Sequence, residues 1–454
     1  MKIRVGSAFV ICVLACAILS TSAESVCARP AVNLFDCEIE DVKKFSQRPS
    51  DYLKSSFRRR WIDEKVQKDL AEAAILMFLS PWTAGTNADA IDSSWGDGVF
   101  KNPRWGANLT RIAQAEIDAL YEESDMASFP SMKRFAIMVA DSDCRLMPTE
   151  NPAFANPGGA GEGFPFDYLQ NSRFRVGAPV LVRHESKSGQ WLLVEGAYFS
   201  GWVNRRDVAF VNASFMRKYD VGDYAAITSD GTSLRDEKGR FICVADVGSL
   251  FPIAESRADG TLVLNVPART DKGAAKLVRA VVLNGAEKFP LVFNAMKVAQ
   301  IADALSDTKY GWGGLYGNRD CSQLMQELYM PFGIPLPRNS AWQREAFPSL
   351  DVSRLSAKDK IAAIRKYGVP FRTLLGFKGH IGVYVGTKGG EPLLMHCAWG
   401  VRLAGENGVK GRLILGRTVI TTLSPGKEVP QVVKNSLLDR LVAIVALPGA
   451  GSRF

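Results

Sequence analysis

Residues 317–329 read Gly-Asn-Arg-Asp-Cys-Ser-Gln-Leu-Met-Gln-Glu-Leu-Tyr. A short polar loop runs into Asp320, and from Cys321 to Tyr329 the pattern is that of a helix, with Leu324, Leu328 and Tyr329 apolar. A cysteine in the first turn of a helix is placed for chemistry. The positive end of the helix dipole favours a thiolate. The first-turn N–H groups have no partner within the helix and can receive an oxyanion. Asp320 has the residue type of a cap for the same helix.

Working outward from this helix, Leu291–Leu305 and Asp359–Tyr367 read as further helices. Strands then dominate, at His380–Val385, Leu393–Cys397, Arg412–Leu415 and Leu441–Ala446. Helices first and strands after, without βαβ alternation, predict an α+β domain over 285–454. Upstream, short apolar strands at Phe135–Val139, Val180–Arg183, Trp191–Val194 and Gly201–Val203 are separated by turn residues. The stretch Gly189-Gln190-Trp191-Leu192-Leu193-Val194, followed by Gly201-Trp202-Val203, resembles a bacterial SH3-like domain, placed at 131–212. A second such barrel is expected at 213–284 from Tyr224–Thr228, Ser233–Arg235, Val244–Val247 and Gly260–Val266. Residues 24–130 read as a helical segment. Ile62, Val66, Leu70, Ala73 and Met77 lie at helical spacing, and a second helix is expected over Asn108–Glu123, capped by Asn108 or Thr110.

The 454 residues, 47% hydrophobic and 23% charged, exclude disorder as the main state. Residues 1–23 carry Lys2 and Arg4, then an apolar run from Val5 to Ala15, then Thr21-Ser22-Ala23. This reads as a secretory signal peptide, too short to span a bilayer. Val13-Leu14-Ala15-Cys16 also resembles a lipoprotein box, so a lipid anchor at Cys16 is the alternative to soluble periplasmic release. The formal charge is +9, or +7 once Lys2 and Arg4 leave with the leader. A basic exported chain is drawn to anionic wall polymers rather than to nucleic acid. Arg58-Arg59-Arg60 reads as a solvated helix face. Beyond Cys12 and Cys16 the cysteines (27, 37, 144, 243, 321, 397) are widely and irregularly spaced. That excludes a disulfide scaffold and a zinc finger, although Cys27 and Cys37 are near enough to bridge. No metal or cofactor is implied.

Only three histidines occur: His184, His380 and His396. Two lie downstream of Cys321. Two strands of a hairpin could set the rings of His380 and His396 side by side, His380 as base and His396 fixing its tautomer. By residue type and spacing alone, a buried structural cysteine with two strand histidines is the competing reading.

The flanking residues add a resemblance. Lys309-Tyr310-Gly311-Trp312-Gly313-Gly314, Asp320-Cys321-Ser322, Pro335-Leu336-Pro337-Arg338-Asn339-Ser340, Gly379-His380-Ile381-Gly382-Val383-Tyr384-Val385-Gly386 and Met395-His396, in this order, resemble the NlpC/p60 family of papain-like cell-wall cysteine peptidases. The resemblance covers about residues 290–450. The upstream layout is similar to a subgroup of γ-D-glutamyl-L-diamino acid endopeptidases.

The resemblance implies Cys321 as nucleophile, His380 as base, His396 as the orienting group and Tyr310 in oxyanion support. It implies Trp312 as groove wall, and Asp320 with Ser322 as partners of the free amine of an N-terminal L-Ala. For Asp320 the cap role stands beside the amine role, and for Tyr310 a packed core tyrosine beside oxyanion support. The first SH3-like domain is expected to close one end of the groove, with Tyr168, Glu195 and Tyr198 as candidates. Cys397, on the opposite face of the strand from His396, is expected in the core. A wall-binding module with an inactive domain, and a thiol acyltransferase on the same scaffold, are the alternatives.

Overall fold

The computed structural model describes residues 39–54, 57–83, 91–159, 162–404, 410–433 and 436–449. The leader, Cys16, Cys27 and Cys37 lie outside the described residues.

Three helices precede the first barrel: α1 (Glu40–Lys44), α2 (Glu64–Leu79) and α3 (Gln114–Ser124). Helix α2 falls where the spacing puts it, but its buried face differs. Gln67, Ala71 and Ala74 are inside, while Val66 and Ala73 are exposed. The reason is polar. Gln67 Nε2 donates to the carbonyls of Leu291 (2.5 Å) and Phe332 (3.1 Å), and Gln67 Oε1 accepts from Phe293 N–H. A buried side chain that pairs three backbone groups outweighs burial of a valine, because each group left unpaired would cost about 1–3 kcal/mol. Helix α3 starts later than expected, because Asn108 accepts from Thr110 in a turn instead of capping. Arg58–Arg60 are exposed as expected, in a turn rather than on a helix.

The first barrel contains β1 (Arg134–Met138), β2 (Ser142–Arg145), β3 (Gln170–Phe174), β4 (Pro179–Glu185), β5 (Trp191–Glu195), β6 (Ser200–Asn204) and β7 (Val208–Phe210). Their order is β3-β2-β6-β5-β4-β1-β7. After α4 (Ala213–Tyr219) come β8 (Tyr224–Ile227), β9 (Thr232–Asp236), β10 (Phe241–Ala245), β11 (Leu250–Ser256), β12 (Leu262–Arg269), β13 (Ala275–Val282) and β14 (Ala286–Lys288). These are ordered β10-β9-β13-β12-β11-β8-β14. His184, the one histidine outside the last domain, is locked into the first barrel. Its Nδ1 accepts from Ser131 N–H (3.2 Å), and its Nε2 faces the carbonyls of Ser124 and Asp125.

The last domain places α5 (Ala295–Ala304), α6 (Cys321–Tyr329), α7 (Ser340–Glu345) and α8 (Ala357–Tyr367) against one sheet. Its strands are β15 (Ser349–Asp351), β16 (Thr373–Phe377), β17 (His380–Lys388), β18 (Glu391–Ala404), β19 (Lys410–Thr421) and β20 (Leu441–Ala446), with the short α9 (Leu437–Arg440) before β20. The sheet order is β15-β20-β16-β17-β18-β19. Helix α6 buries Leu324, Met325, Leu328 and Tyr329 completely. Each such burial is worth roughly 1.5–3 kcal/mol, so the sheet fixes the helix and with it Cys321. Pro331 stops the helix, and Gly333 turns the chain at φ 73°. A Cβ on Gly333 would lie 2.8 Å from Ala71 of α2, so this turn also seats the N-terminal segment. The core runs on without a break from the sheet to Tyr224, Val247 and Leu250 of the second barrel and Phe45 of the N-terminal segment.

Candidate active site

Asp320 caps α6, accepting from Gln323 N–H at 2.9 Å. This puts Cys321 at the first helical position, at the mouth of a groove of about 1190 Å³ lined also by Tyr310, Trp312, Asp320, Ser322, His380 and His396. His380 opens β17 and His396 lies on β18. The hairpin brings the rings together, with His380 Nε2 2.8 Å from His396 Nδ1.

The tautomers follow from the hydrogen bonds. Thr421 Oγ1 donates to the carbonyl of Thr422 (2.8 Å), which can only accept. A hydroxyl has one hydrogen, so toward His396 Nε2, 3.0 Å away, it must accept. His396 therefore carries its proton on Nε2 and offers the Nδ1 lone pair to His380 Nε2–H. That leaves His380 Nδ1 unprotonated and able to take a proton.

Burial pushes the Cys321 thiol up to about 12. The Asp320 carboxylate adds to this, against the pull of Ile381 N–H, Arg338 and Ser322 N–H. His380 is held well below its ordinary value by burial, by His396 and by Arg440. Burial brings His396 down to about 3. The resting pair is a neutral thiol and a neutral imidazole. The first-turn Ser322 N–H lowers the thiol pKa, as a helix start should, but burial and the capping carboxylate outweigh it.

Asp320 does more than cap. Arg338 Nη2 donates to its Oδ2 at 2.7 Å, Arg338 Nη1 to its Oδ1 at 3.1 Å, Gly313 N–H to Oδ2 and Ser322 Oγ to Oδ1. Any ammonium would share this carboxylate with a buried guanidinium. Trp312 is exposed and forms wall, as its residue type suggests. Cys397 is fully buried with its thiol donating to the Arg319 carbonyl (3.1 Å), so it lies in the core.

Of the first-barrel candidates, Tyr168 and Tyr198 line the groove. Glu195 does not; it pairs with Arg183 (2.7 Å) inside the barrel. Sequence reading missed Phe164, Phe166 and Trp399. Phe166, from the loop before β3, stands 5.4 Å from the Trp312 ring centroid, 6.2 Å from Tyr310 and 6.5 Å from Trp399. Phe164 stacks on Tyr316 at 6.2 Å. The only signal was the aromatic spacing of Phe164-Pro165-Phe166 in a loop, and loops reveal their neighbours only in three dimensions. Among the described residues no group of three or more His, Cys, Asp or Glu side chains could hold a metal.

A cysteine opening a helix that packs on an antiparallel sheet carrying a histidine pair is the architecture of the papain-like thiol hydrolases. Residues 307–398 match the NlpC/P60 family, and residues 9–129 match the NLPC_P60 stabilising domain, N term. Residues 152–204 match an SH3 domain of SH3b1 type, and residues 212–258 an SH3 domain of SH3b2 type. The chain thus carries an NlpC/P60 domain behind an NLPC_P60 stabilising domain and two SH3 domains.

Among solved structures, it is similar to an NlpC/P60 endopeptidase from Photobacterium damselae subsp. piscicida. The two share 23% identity at a TM-score of 0.80, over 89% of this chain and 98% of that one. An NlpC/P60 family protein from Bacillus cereus aligns at 15% identity and a TM-score of 0.44, over 69% of this chain and 99% of that one. No curated protein matches.

Proposed function

We propose that the protein is an exported cysteine endopeptidase that cuts the γ-D-Glu–diamino acid bond of peptidoglycan stem peptides, with Cys321, His380 and His396 as its triad. The observation that carries this reading is the directed chain Thr421–His396–His380, which leaves a basic nitrogen at the groove where Cys321 stands.

As Cys321 Sγ attacks the γ-carbonyl carbon of D-glutamate, its proton passes to His380 Nδ1. The oxyanion is received by the Cys321 N–H and the Tyr310 hydroxyl. The His380 imidazolium then protonates the leaving amine of the diamino acid. Water, deprotonated by His380, releases the acyl group from the thioester. A neutral resting pair suits this sequence, because the charges form only as the carbonyl is attacked.

Phe166, Tyr168 and Tyr198 narrow the barrel end of the groove, which favours a short stem with a free N-terminal L-Ala over a stem still joined to glycan. In this reading the amine docks at Ser322 and the outer edge of Asp320. Among the described residues no helix is long and apolar enough to cross a membrane.

The test is mass spectrometry of products from free L-Ala-γ-D-Glu-diamino acid tripeptide and from intact peptidoglycan. The wild type should cut the tripeptide between D-Glu and the diamino acid, and Cys321→Ala should lower the rate by at least about 10⁴-fold. Tripeptide hydrolysis that survives Cys321→Ala sinks the proposal. Equal cleavage of intact wall removes the size selection by the barrel.

A further inference from the structure

One wall of the groove carries arginines that have no salt-bridge partner among the described residues. Arg402 of β18 and Arg412 of β19 lie directly opposite each other in the hairpin register. Arg440, at the end of α9, lines the same groove with Lys378 and Lys427. Like charges directly opposite on a hairpin destabilise it. Among the described residues no carboxylate forms a salt bridge with any of the three arginines, and Arg412 Nε is buried without a hydrogen-bond partner. Arg412 rests its guanidinium 5.8 Å from the Phe166 ring centroid, and Arg440 donates to the Lys378 carbonyl.

Burial and the neighbouring Arg402 push both Arg412 and Arg440 below the ordinary arginine value. Among the described residues, the Lys, Arg, Asp and Glu side chains lining the groove are six basic and two acidic. Both acids are already engaged, Asp320 by Arg338 and Asp439 by Ser436. Guanidinium groups gathered in a cleft with no salt-bridge partner among the described residues are arranged for an anion that arrives from outside.

We propose that Arg402, Arg412 and Arg440 form a subsite for a substrate carboxylate beside the scissile bond. The proposal rests on the endopeptidase reading and gives it a selectivity. A guanidinium fork holds a carboxylate through two charge-assisted bonds, and the arriving charge relieves the repulsion across the hairpin. In a γ-linked D-Glu–diamino acid peptide two carboxylates qualify, the α-carboxylate of D-glutamate and a carboxylate of the diamino acid. Amidation removes the charge of either and leaves its shape.

The experiment compares kcat/KM for the acid tripeptide and for two analogues, each amidated at one of these carboxylates. The enzymes are wild type, Arg402→Gln and Arg412→Gln. Arg402 is exposed, so its replacement leaves the core intact. In the wild type one amidation should cost about tenfold or more, the worth of about 1.4 kcal/mol of charge-assisted bonding. That penalty should shrink to about threefold or less in either variant, and the position that carries it identifies the carboxylate. No penalty in the wild type, or one unchanged in both variants, overturns the subsite and leaves the endopeptidase standing. Cleavage of none of the three peptides overturns the endopeptidase reading itself, and the subsite with it.

A separate set of atoms carries a second inference. The structure assigns Thr421 as a positioning residue for His396, aimed by the N-terminal segment. Asp41 of α1 accepts from Thr422 N–H (2.8 Å) and Thr422 Oγ1 (2.7 Å). Gln47 clamps Ile420, accepting from its N–H (2.7 Å) and donating to its carbonyl (3.0 Å). These bonds fix the backbone on both sides of Thr421, and so the carbonyl that its hydroxyl must donate to. Without that hydroxyl nothing holds the His396 proton on Nε2.

Thr421→Val should lower kcat about tenfold or more with KM within about twofold. The ¹⁵N shifts of the His380 and His396 rings should move away from the Nε2–H pattern, and Thr421→Ser should restore both. Asp41→Ala should shift the same ring signals in the same direction. Unchanged ring signals or wild-type kcat in Thr421→Val overturns the assignment, since a merely structural threonine would alter stability alone.

Discussion

Burial and the Asp320 carboxylate hold Cys321 toward the thiol form, and this can be read out directly. With the thiol near 12 and His380 well below its ordinary range, alkylation of Cys321 by iodoacetamide in the absence of substrate should be slow at pH 7. It should also accelerate through the alkaline range. Fast alkylation that stays level down to pH 5 would mean a resting thiolate–imidazolium pair and would contradict the neutral assignment. The residues around Cys321 divide the work. Asp320 holds the helix start and Arg338 and raises the thiol pKa, while His396 fixes which nitrogen of His380 carries the proton.

At the scale of elements, the β17–β18 hairpin is the part whose geometry tolerates least. Gly382 lies on β17 against β18, and a Cβ there would meet the Met395 carbonyl oxygen at 2.7 Å and His396 Cβ at 2.9 Å. Gly382→Ala must push the strands apart and carry His396 away from His380. We expect a loss of about 1–3 kcal/mol in urea unfolding and a kcat lowered by more than about tenfold. Wild-type kcat in this variant would show that the His380–His396 spacing is not what limits turnover.

The Gly313-Gly314 pair has a related reason. At φ 60° and 84° they adopt the left-handed conformation, and a Cβ would strike Gln170 at 2.9 Å from Gly313 or Arg173 at 2.7 Å from Gly314. The motif that carries Tyr310 and Trp312 is therefore also the surface on which the first barrel docks, with Gln170 Nε2 donating to the Gly313 carbonyl.

At the scale of the molecule, α6 and both barrels share one buried ionic network. Glu327 of α6 accepts from Arg175 of the first barrel at 2.8 and 2.9 Å, and from Arg319 Nε. Arg175 also reaches Asp246, and Arg319 reaches Asp230, both in the second barrel. Glu327→Gln leaves two buried guanidinium groups short of a charge and should destabilise by about 3–5 kcal/mol in urea unfolding.

Glu327 is held at about 2 by Arg175 and Arg319, against the burial that would raise it. With the folded value depressed, its contribution is complete above the ordinary carboxylate value and is lost as pH falls toward 2. His396, neutral in the fold to about pH 3, contributes fully above 6.5 and loses its share as pH falls from 6.5 toward 3. The urea midpoint should thus be level above pH 7 and fall steadily below 6.5. In His396→Gln the decline below 6.5 should be shallower, the remainder coming from His380, which burial also holds below its ordinary value. A midpoint that does not move between pH 7 and 4 would refute the His396 assignment, and one that does not fall between pH 4.5 and 2 the Glu327 assignment.

The sequence alone determined a good deal. Helix α6 has the limits read from it, Cys321–Tyr329, because cap, apolar spacing and Pro331 are all local signals. Strand β20 has the limits read for it, Leu441–Ala446, because a short apolar run with a β-branched core is a local signal too. The order of motifs pointed to the NlpC/P60 domain and the two barrels before it.

Tertiary structure decided the rest. Which face of α2 is buried depended on backbone groups of Leu291, Phe293 and Phe332 more than 200 residues away, which no periodicity contains. Whether Cys321 rests as a thiol depended on burial and on a carboxylate already paired with Arg338. Phe166, Trp399, Thr421 and the opposed Arg402 and Arg412 gain meaning only from what the fold sets beside them. Local patterns record the backbone's own preferences; charge, solvation and proton direction are sums over neighbours that chain order does not name.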